Sequence, residues 1–541
     1  MTEPTPAPGI RYSPRRSFFM NLFWVVIISL LALAIYYNIY KADFFLDDYL
    51  HLHLVKVIDN PLTPYFTNLF MGAFFRPGTF IFWKLNHAFS GLNASAYYAT
   101  NMVFLVAMIA LFFYVLHNIT GNRKFSGLAT LLFAANPVTG VGLLWLSNRF
   151  DLIGATFYLA ALLAFLRYMR TKRRGAYWAA LVLGTYSYFC KEMMITLPVI
   201  MILCTAFMFG YRATLTRAKF WEIVSASTPF FTIGVLFILW RYGIIHSLGG
   251  YSGETKVPIT TLYIKQLYVA FSDHFWLMRL TYAFVVYLIL WLLLLIKADF
   301  FKNNPLLLLG LAIATITSIP LVMVFQMAAV MSYMTPRFFF LPSLGVIIML
   351  ASVYDPRSGL FRKSLAVLFL LISFLIFSVN SFLMTYKWAD DRHKNVKTMA
   401  KIHNYLQKQG TVVDPGRKFY MLQLDGVDVA LDAGMKLRYP EYMDKAYFLN
   451  PNGPTQVIAT EGLHQLTGRH FNWPQSFNLN PCTYGNLVYG VINTYPLDII
   501  RKIGEDEKIT ILAPDGLLSL RTVDKEGVQG LLATWGVLDY E

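Results

Sequence analysis

Residues 18–40 include no charged side chain, and an apolar stretch of about twenty residues is long enough to cross a bilayer as a helix. Such stretches recur. Uncharged or nearly uncharged runs lie near 97–119, 125–146, 152–167, 176–190, 193–210, 223–240, 280–296, 305–326, 338–354 and 364–384. In lipid every backbone polar group must be satisfied internally, so long apolar runs of this kind specify membrane helices. Composition agrees: 56% of the 541 residues are hydrophobic and only 14% charged, whereas a soluble domain carries about 25% charged residues. The expected fold class is a polytopic α-helical membrane protein with about eleven transmembrane helices.

The formal net charge of +16 would suit a nucleic-acid surface, but the basic residues are distributed for topology. They cluster at Arg11, Arg15 and Arg16; at Arg123 and Lys124; and at Arg167, Arg170, Lys172, Arg173 and Arg174. Further clusters lie at Arg212, Arg217 and Lys219, at Lys297 and Lys302, and at Arg357, Arg362 and Lys363. With the amino terminus in the cytoplasm, every cluster follows an even number of crossings and obeys the positive-inside rule. Eleven spans then put residues 385–541 outside, in the periplasm or its equivalent, as a second domain after a transmembrane domain of residues 1–384. The run at 18–40 is too long for a signal-peptide core and lacks a small-residue cleavage site, so it reads as an uncleaved anchor. Cys190, Cys204 and Cys482 form no disulfide framework or zinc spacing.

This topology leaves a second set of charges at the opposite, outer ends of the spans: Asp47, Asp48, Arg76, Arg149, Asp151, Lys191, Glu192 and Arg337. A charge at bilayer depth costs roughly 2.5–3.5 kcal/mol and usually faces a cavity or a partner. So many, of mixed sign and from several connections, point to one shared polar cavity; separate helix-end ion pairs are the bland alternative. Arg and Lys can hold a phosphate through charge-assisted hydrogen bonds. A carboxylate beside them can deprotonate an attacking hydroxyl. Together these groups suit a polyprenyl-phosphate sugar, whose lipid stays in the bilayer. No glycine-rich nucleotide fingerprint or P-loop is present, which disfavours a nucleotide-sugar donor or an ATP-driven pump.

Several motifs resemble a known family. Phe45-Leu46-Asp47-Asp48-Tyr49, with Phe75-Arg76-Pro77 after it, is similar to the first outer loop of membrane-embedded glycosyltransferases of the GT-C superfamily. Asn136-Pro137-Val138 through Trp145, with Asn148-Arg149-Phe150-Asp151-Leu152, resembles an outer segment of one branch. That branch comprises the transmembrane O-mannosyltransferases with tetratricopeptide repeats and their bacterial relatives. Lys191-Glu192-Met193-Met194-Ile195-Thr196-Leu197-Pro198 and Arg337-Phe338-Phe339-Phe340-Leu341-Pro342-Ser343-Leu344-Gly345 are similar to its later segments. Thr385-Tyr386-Lys387-Trp388-Ala389-Asp390-Asp391 resembles the segment after its last span.

The resemblance implies a dolichyl- or polyprenyl-phosphate sugar donor, an inverting transfer, and a glycan, lipid or protein acceptor. Asp47 or Asp48 would be the catalytic base. Arg337, Lys191 and Arg76 would hold the donor phosphate, and Arg149, Asp151, Glu192, His51 and His53 would shape the pocket. No cofactor is firmly implied. A divalent metal would fit beside the two aspartates, although hydrogen-bonded or solvated histidines suit His51 and His53 better. Animal members continue into 34-residue repeats, and no such period is present after Asp391, so protein O-mannosylation is not inherited. The tail instead carries strand-like runs at 419–424 and 509–512, with turn signals at Asp425-Gly426 and Asp515-Gly516, and reads as a soluble α/β or mostly β domain. The runner-up function is a transporter or flippase of lipid-linked or envelope precursors, and a non-catalytic scaffold is the third. A transporter would be expected to show inverted repeats and broken helices at the midplane; no internal repeat is evident.

The charge pattern makes a direct prediction. A reporter active only outside the cytoplasm, fused after Glu541, should be active. A signal found solely in the cytoplasm would refute the eleven-span topology.

Overall fold

The computed structural model describes residues 14–45, 47–67, 75–210, 215–246, 304–320, 339–355, 358–408, 419–423, 431–442, 446–449, 455–459, 482–484, 487–494, 509–512 and 520–523. The first helices are α1 (Pro14–Ile35), α2 (Asp47–Val57), α3 (Phe80–Ser90), α4 (Ala94–Thr120), α5 (Arg123–Ala135), α6 (Pro137–Leu144) and α7 (Arg149–Thr171). Next come α8 (Arg174–Cys190), α9 (Leu197–Gly210), α10 (Arg217–Ile245), α11 (Pro305–Ser318), α12 (Phe340–Ala351), α13 (Leu360–Lys408) and α14 (Leu431–Arg438).

Among the described residues, 6 helical segments are long and apolar enough to cross a membrane, or up to 7 if the bent pair α5–α6 is one span. The chain is a multi-pass membrane protein. Large apolar side chains such as Phe23, Leu30, Val103, Leu239 and Leu375 point outward from these helices, as they do where the solvent is lipid. Of the other expected spans, α8, α11 and α12 have only 17, 14 and 12 residues, and 280–296 lies outside the described residues.

Local chemistry explains the breaks. Gly121 closes α4 with φ of +68°, the left-handed conformation that glycine adopts without a Cβ penalty. Asn122 then caps α5 by accepting a hydrogen bond from the Phe125 amide at 3.1 Å. The third expected span bends by 48° between α5 and α6. Pro137 has no N–H and its ring clashes with a helix running on before it, while the Asn136 side chain restarts the helix by accepting from the Val138 amide at 3.1 Å. All of α6 is buried, so the irregular backbone after it lies inside protein, where membrane proteins tolerate it.

Two sequence expectations change. The Asp47–His53 stretch is helical, as part of α2, rather than a loop. The chain also stays helical through residue 385, because α13 runs for 49 residues from Leu360 to Lys408. Beyond it lie β1 (Phe419–Gln423), β2 (Ala446–Leu449), β3 (Thr455–Ala459), β4 (Cys482–Tyr484), β5 (Leu487–Thr494), β6 (Ile509–Leu512) and β7 (Leu520–Val523). Strands β2-β1-β6-β7 form a mixed sheet and β3-β5-β4 an antiparallel one. Strand β1 pairs in parallel with β6, Tyr420 opposite Ile509.

Helices α11 and α12 meet through glycine. A Cβ on Gly345 would fall against the Ala314 amide and the Gly310 carbonyl oxygen, so the two backbones touch. Small residues drive such close crossings in lipid, where burial of apolar surface gives little net gain. Gly345→Leu should therefore lower thermal stability in detergent by about 1–3 kcal/mol, whereas Leu344→Met beside it should cost less than about 1.5 kcal/mol. Equal melting curves for wild type and Gly345→Leu would contradict the crossing.

Candidate active site

The site begins where the chain leaves α1, passes a 3-10 turn at Tyr37–Lys41 and enters α2 at Asp47. Both aspartates occupy the first turn of α2, where carboxylates interact favourably with the helix dipole. Successive helical residues diverge by about 100°, and here the two part company. Asp47 is half-buried, whereas Asp48 is fully buried. One Asp48 oxygen accepts from the Phe45 amide at 2.9 Å. The other accepts from the Ser147 amide at 2.7 Å and the Ser147 hydroxyl at 2.5 Å. Burial pushes the Asp48 carboxyl up to about 8, against the pull of these three donors.

Ser147 belongs to the 3-10 turn Leu146–Asn148 between α6 and α7. Two further bonds stitch this turn to the entry of α2. The Trp145 indole donates to the Phe45 carbonyl at 3.2 Å, and the Tyr98 hydroxyl lies 3.2 Å from the Asp43 carbonyl and 3.0 Å from that of Leu144.

The remaining charges sort into pairs. Lys191 donates to both Asp151 oxygens at 2.5 Å in a buried ion pair. Arg76 grips Glu192 bidentately, at 3.0 and 2.6 Å. Arg149 is fully buried and donates to the Asn101 side chain at 3.2 and 3.0 Å and to the Tyr97 carbonyl at 3.2 Å. Its guanidinium lies 4.9 Å from the Trp83 ring centroid.

His51 stacks on Trp83 at 4.9 Å and meets the edge of Phe150 at 5.2 Å; Arg76 covers the same Phe150 ring at 5.1 Å. Burial, with Arg149 and Arg76 nearby, holds the His51 imidazole down at about 3. Burial, with Lys56 and Lys436 nearby, holds His53 at about 4. Both rings are neutral at pH 7. Among the described residues, no three His, Cys, Asp or Glu side chains converge as metal ligands.

Contacts through Trp83 and Phe150 thus join His51, Arg149, Arg76 and Glu192, while Asp48 interacts electrostatically with Arg149, and Asp151 of the Lys191–Asp151 pair with Arg76 and Glu192. His53 is buried farther along α2, and Arg337 lies outside the described residues. Sequence reasoning assigned no role to Ser147, Asn101 or Trp83. The only available signal for Ser147 was its place directly before the Asn148–Asp151 motif. It also passed over Arg392, whose guanidinium sits 3.5 Å from the Phe45 ring centroid.

The two aspartates should separate in stability. An amide at 48 keeps an oxygen toward Ser147 but turns N–H groups against the Phe45 amide, and a buried group left unpaired costs about 1–3 kcal/mol. Asp48→Asn should therefore be less stable than Asp47→Asn. The pH dependence has a definite sign. A carboxyl with a raised folded pKa contributes stability that is full below about pH 4 and lost as pH rises through about 8. Asp48→Asn should abolish that slope in melting curves recorded between pH 5 and 8. A slope that survives in Asp48→Asn would assign it to another group.

No family model matches this chain. In sequence it is similar to protein O-mannosyl-transferase TMTC2 of Mus musculus, 27% identical over 197 residues, covering 34% of this chain and 24% of that protein. TMTC3 of Homo sapiens is 28% identical over 199 residues, covering 33% and 21%. The chain therefore spans a quarter or less of the length of these curated relatives. Among solved structures, it aligns with ArnT from Cupriavidus metallidurans bound to undecaprenyl phosphate at 12% identity and a TM-score of 0.44, over 88% of this chain and 98% of that one. It aligns with the archaeal oligosaccharyltransferase AglB from Archaeoglobus fulgidus, in complex with an inhibitory peptide and a dolichol-phosphate, at 11% identity and a TM-score of 0.38, over 79% and 64%. The weak similarity to the O-mannosyl-transferases agrees with the resemblance carried by the ordered motifs of residues 45–391.

Proposed function

We propose that this chain is a glycosyltransferase that moves a sugar from a polyprenyl-phosphate donor to an acceptor hydroxyl on the outer side of the membrane. The observation that carries this reading is the pair at the start of α2. Asp48 is fully buried, whereas Asp47 is half-buried, and the partly exposed carboxylate is the one a substrate can reach.

In the proposed reaction the acceptor oxygen attacks the anomeric carbon and the carbon–oxygen bond to phosphate breaks. The acceptor proton passes to Asp47, and the lipid phosphate departs with the bonding electrons. Asp48 keeps the first turn of α2 in register for this step. Residues 1–384 supply the base, and the acceptor is a glycan, a lipid or a protein. The enzyme lies in the cytoplasmic membrane with its site facing the periplasm.

Arg337 remains the candidate ligand for the donor phosphate. Lys191 and Arg76 are weaker candidates, because each would have to leave its carboxylate. Breaking a buried ion pair costs about 3–5 kcal/mol, so we assign them, with Asp151, Glu192, Arg149, His51 and His53, to the walls of the site.

The test is transfer by purified protein given a polyprenyl-phosphate sugar. Wild type should release polyprenyl phosphate, and Asp47→Asn should lose at least about a hundredfold in rate, the lower end of what a general base contributes, while still binding donor. Full activity in Asp47→Asn would move the base elsewhere, first to Asp151 or Glu192. Movement of lipid or solute without cleavage would replace the transferase with a transporter.

A further inference from the structure

Helix α13 carries two residues one turn apart, Trp388 and Arg392, and such i, i+4 neighbours share a face. Both land on the segment that leads into α2. Trp388 meets Phe45 edge-on at 5.2 Å. The Arg392 guanidinium carbon lies 3.5 Å from the Phe45 ring centroid and 4.6 Å from that of Trp388. Phe45 is two residues ahead of Asp47 in the chain.

The charges nearby single this arginine out. Lys191 is paired with Asp151 and Arg76 with Glu192. Arg438 is paired with Asp43 at 2.5 Å. Among the described residues Arg149 has no carboxylate partner either, but it is fully buried between Trp83 and Tyr97. Arg392 is half-buried, and among the described residues no carboxylate forms an ion pair with it. Its Nε is buried and, among the described residues, has no hydrogen-bond partner. The aspartates just before it do not serve: Asp390 pairs with Lys394 at 2.5 Å, and Asp391 is the adjacent residue, which on a helix points elsewhere.

A guanidinium stacked on aromatic rings has its face occupied and its in-plane N–H groups directed sideways. That edge matches two phosphate oxygens, and the rings fix the geometry at about 0.5–2 kcal/mol per cation–π contact. We propose that Arg392 receives the phosphate of the lipid-linked donor. The proposal rests on the transferase reading and adds to it a ligand that neither the outer-loop pattern nor the motifs assigned. In transfer the phosphodiester, with one negative charge, becomes a monoester carrying about 1.5–2 at pH 7. A fixed cation there gains interaction as the carbon–oxygen bond breaks, which is the direction that lowers a barrier.

The experiment uses the full chain in phosphatidylcholine nanodiscs. Binding of polyprenyl monophosphate and of inorganic phosphate is measured for wild type, Arg392→Gln, Arg392→Lys and Asp47→Asn, with melting curves for each. Arg392→Gln should weaken polyprenyl-phosphate binding at least tenfold, Arg392→Lys should restore part of it, and Asp47→Asn, which removes a negative charge beside the anion, should bind at least as tightly as wild type. Inorganic phosphate should compete only at concentrations at least a hundredfold higher. Wild-type affinity in Arg392→Gln would overturn the inference while leaving the transferase intact, provided wild type still releases polyprenyl phosphate. Equal affinity for inorganic phosphate would make this a site for the free anion and overturn it as well. Unfolding of both Arg392 variants would assign the residue to the aromatic core and also overturn it. Failure of wild type to bind or release polyprenyl phosphate would instead refute the transferase reading.

Discussion

A carboxyl group cut off from water holds the candidate site together. Asp48 binds the Phe45 amide on its own loop and the Ser147 amide and hydroxyl from a turn 99 residues away. These bonds tie the α1–α2 connection to the α6–α7 connection. Within a bilayer, packing alone specifies such junctions weakly, because lipid tails solvate apolar helices as well as other helices do. Hydrogen bonds and close glycine contacts therefore set the geometry. The bend at Asn136-Pro137 serves the same junction, since it brings the Leu146–Asn148 turn into the protein where Asp48 can reach it.

The ion pairs around this junction do a different job. A buried pair adds little net stability, because desolvation offsets the attraction, yet removing one partner strands the other. Lys191–Asp151 and Arg76–Glu192 consequently lock each other's identity and position rather than strengthen the fold. By satisfying two cations they also reduce the groups left for an incoming anion. The electrostatics of the site are set as much by these cancelled charges as by those that remain.

Much of the membrane architecture was legible in the sequence, because apolar runs and helix-capping asparagines act locally. The apolar run at 18–40 contains the uncharged part of α1, and the Asn136-Pro137 step marks the bend. Where the reading fell short, the missing information was non-local. Nothing in the order of residues says that Lys191 faces Asp151 rather than its neighbour Glu192, or that Glu192 faces Arg76, 116 residues before it. Ser147 is an ordinary serine until the fold places it under Asp48. Charge repulsion and a nearby helix end suggest a loop at Asp47–Asp48; the free amides of a helix's first turn accommodate both carboxyl groups instead.

Helix α13 shows how a membrane bundle and the tail that follows it can be mechanically continuous. At 1.5 Å per residue, its 49 residues carry the chain well beyond the thickness of a hydrocarbon core, about 30 Å, without a hinge at residue 385. Its far half is packed rather than free. Met399, Ile402 and Leu406 are buried, and His403 stacks on Tyr439, just after α14, at 3.8 Å. From α14, Gly434 lies so close to α2 that a Cβ there would come within 3.1 Å of the Tyr49 ring, and Arg438 holds Asp43. The entry to α2 is therefore gripped from both sides, by the α6–α7 turn through Asp48 and by the tail through Asp43 and Tyr49. A strain applied to the tail reaches the first turn of α2 through short, rigid contacts, so the position of the candidate base is a property of the whole chain rather than of the membrane bundle alone.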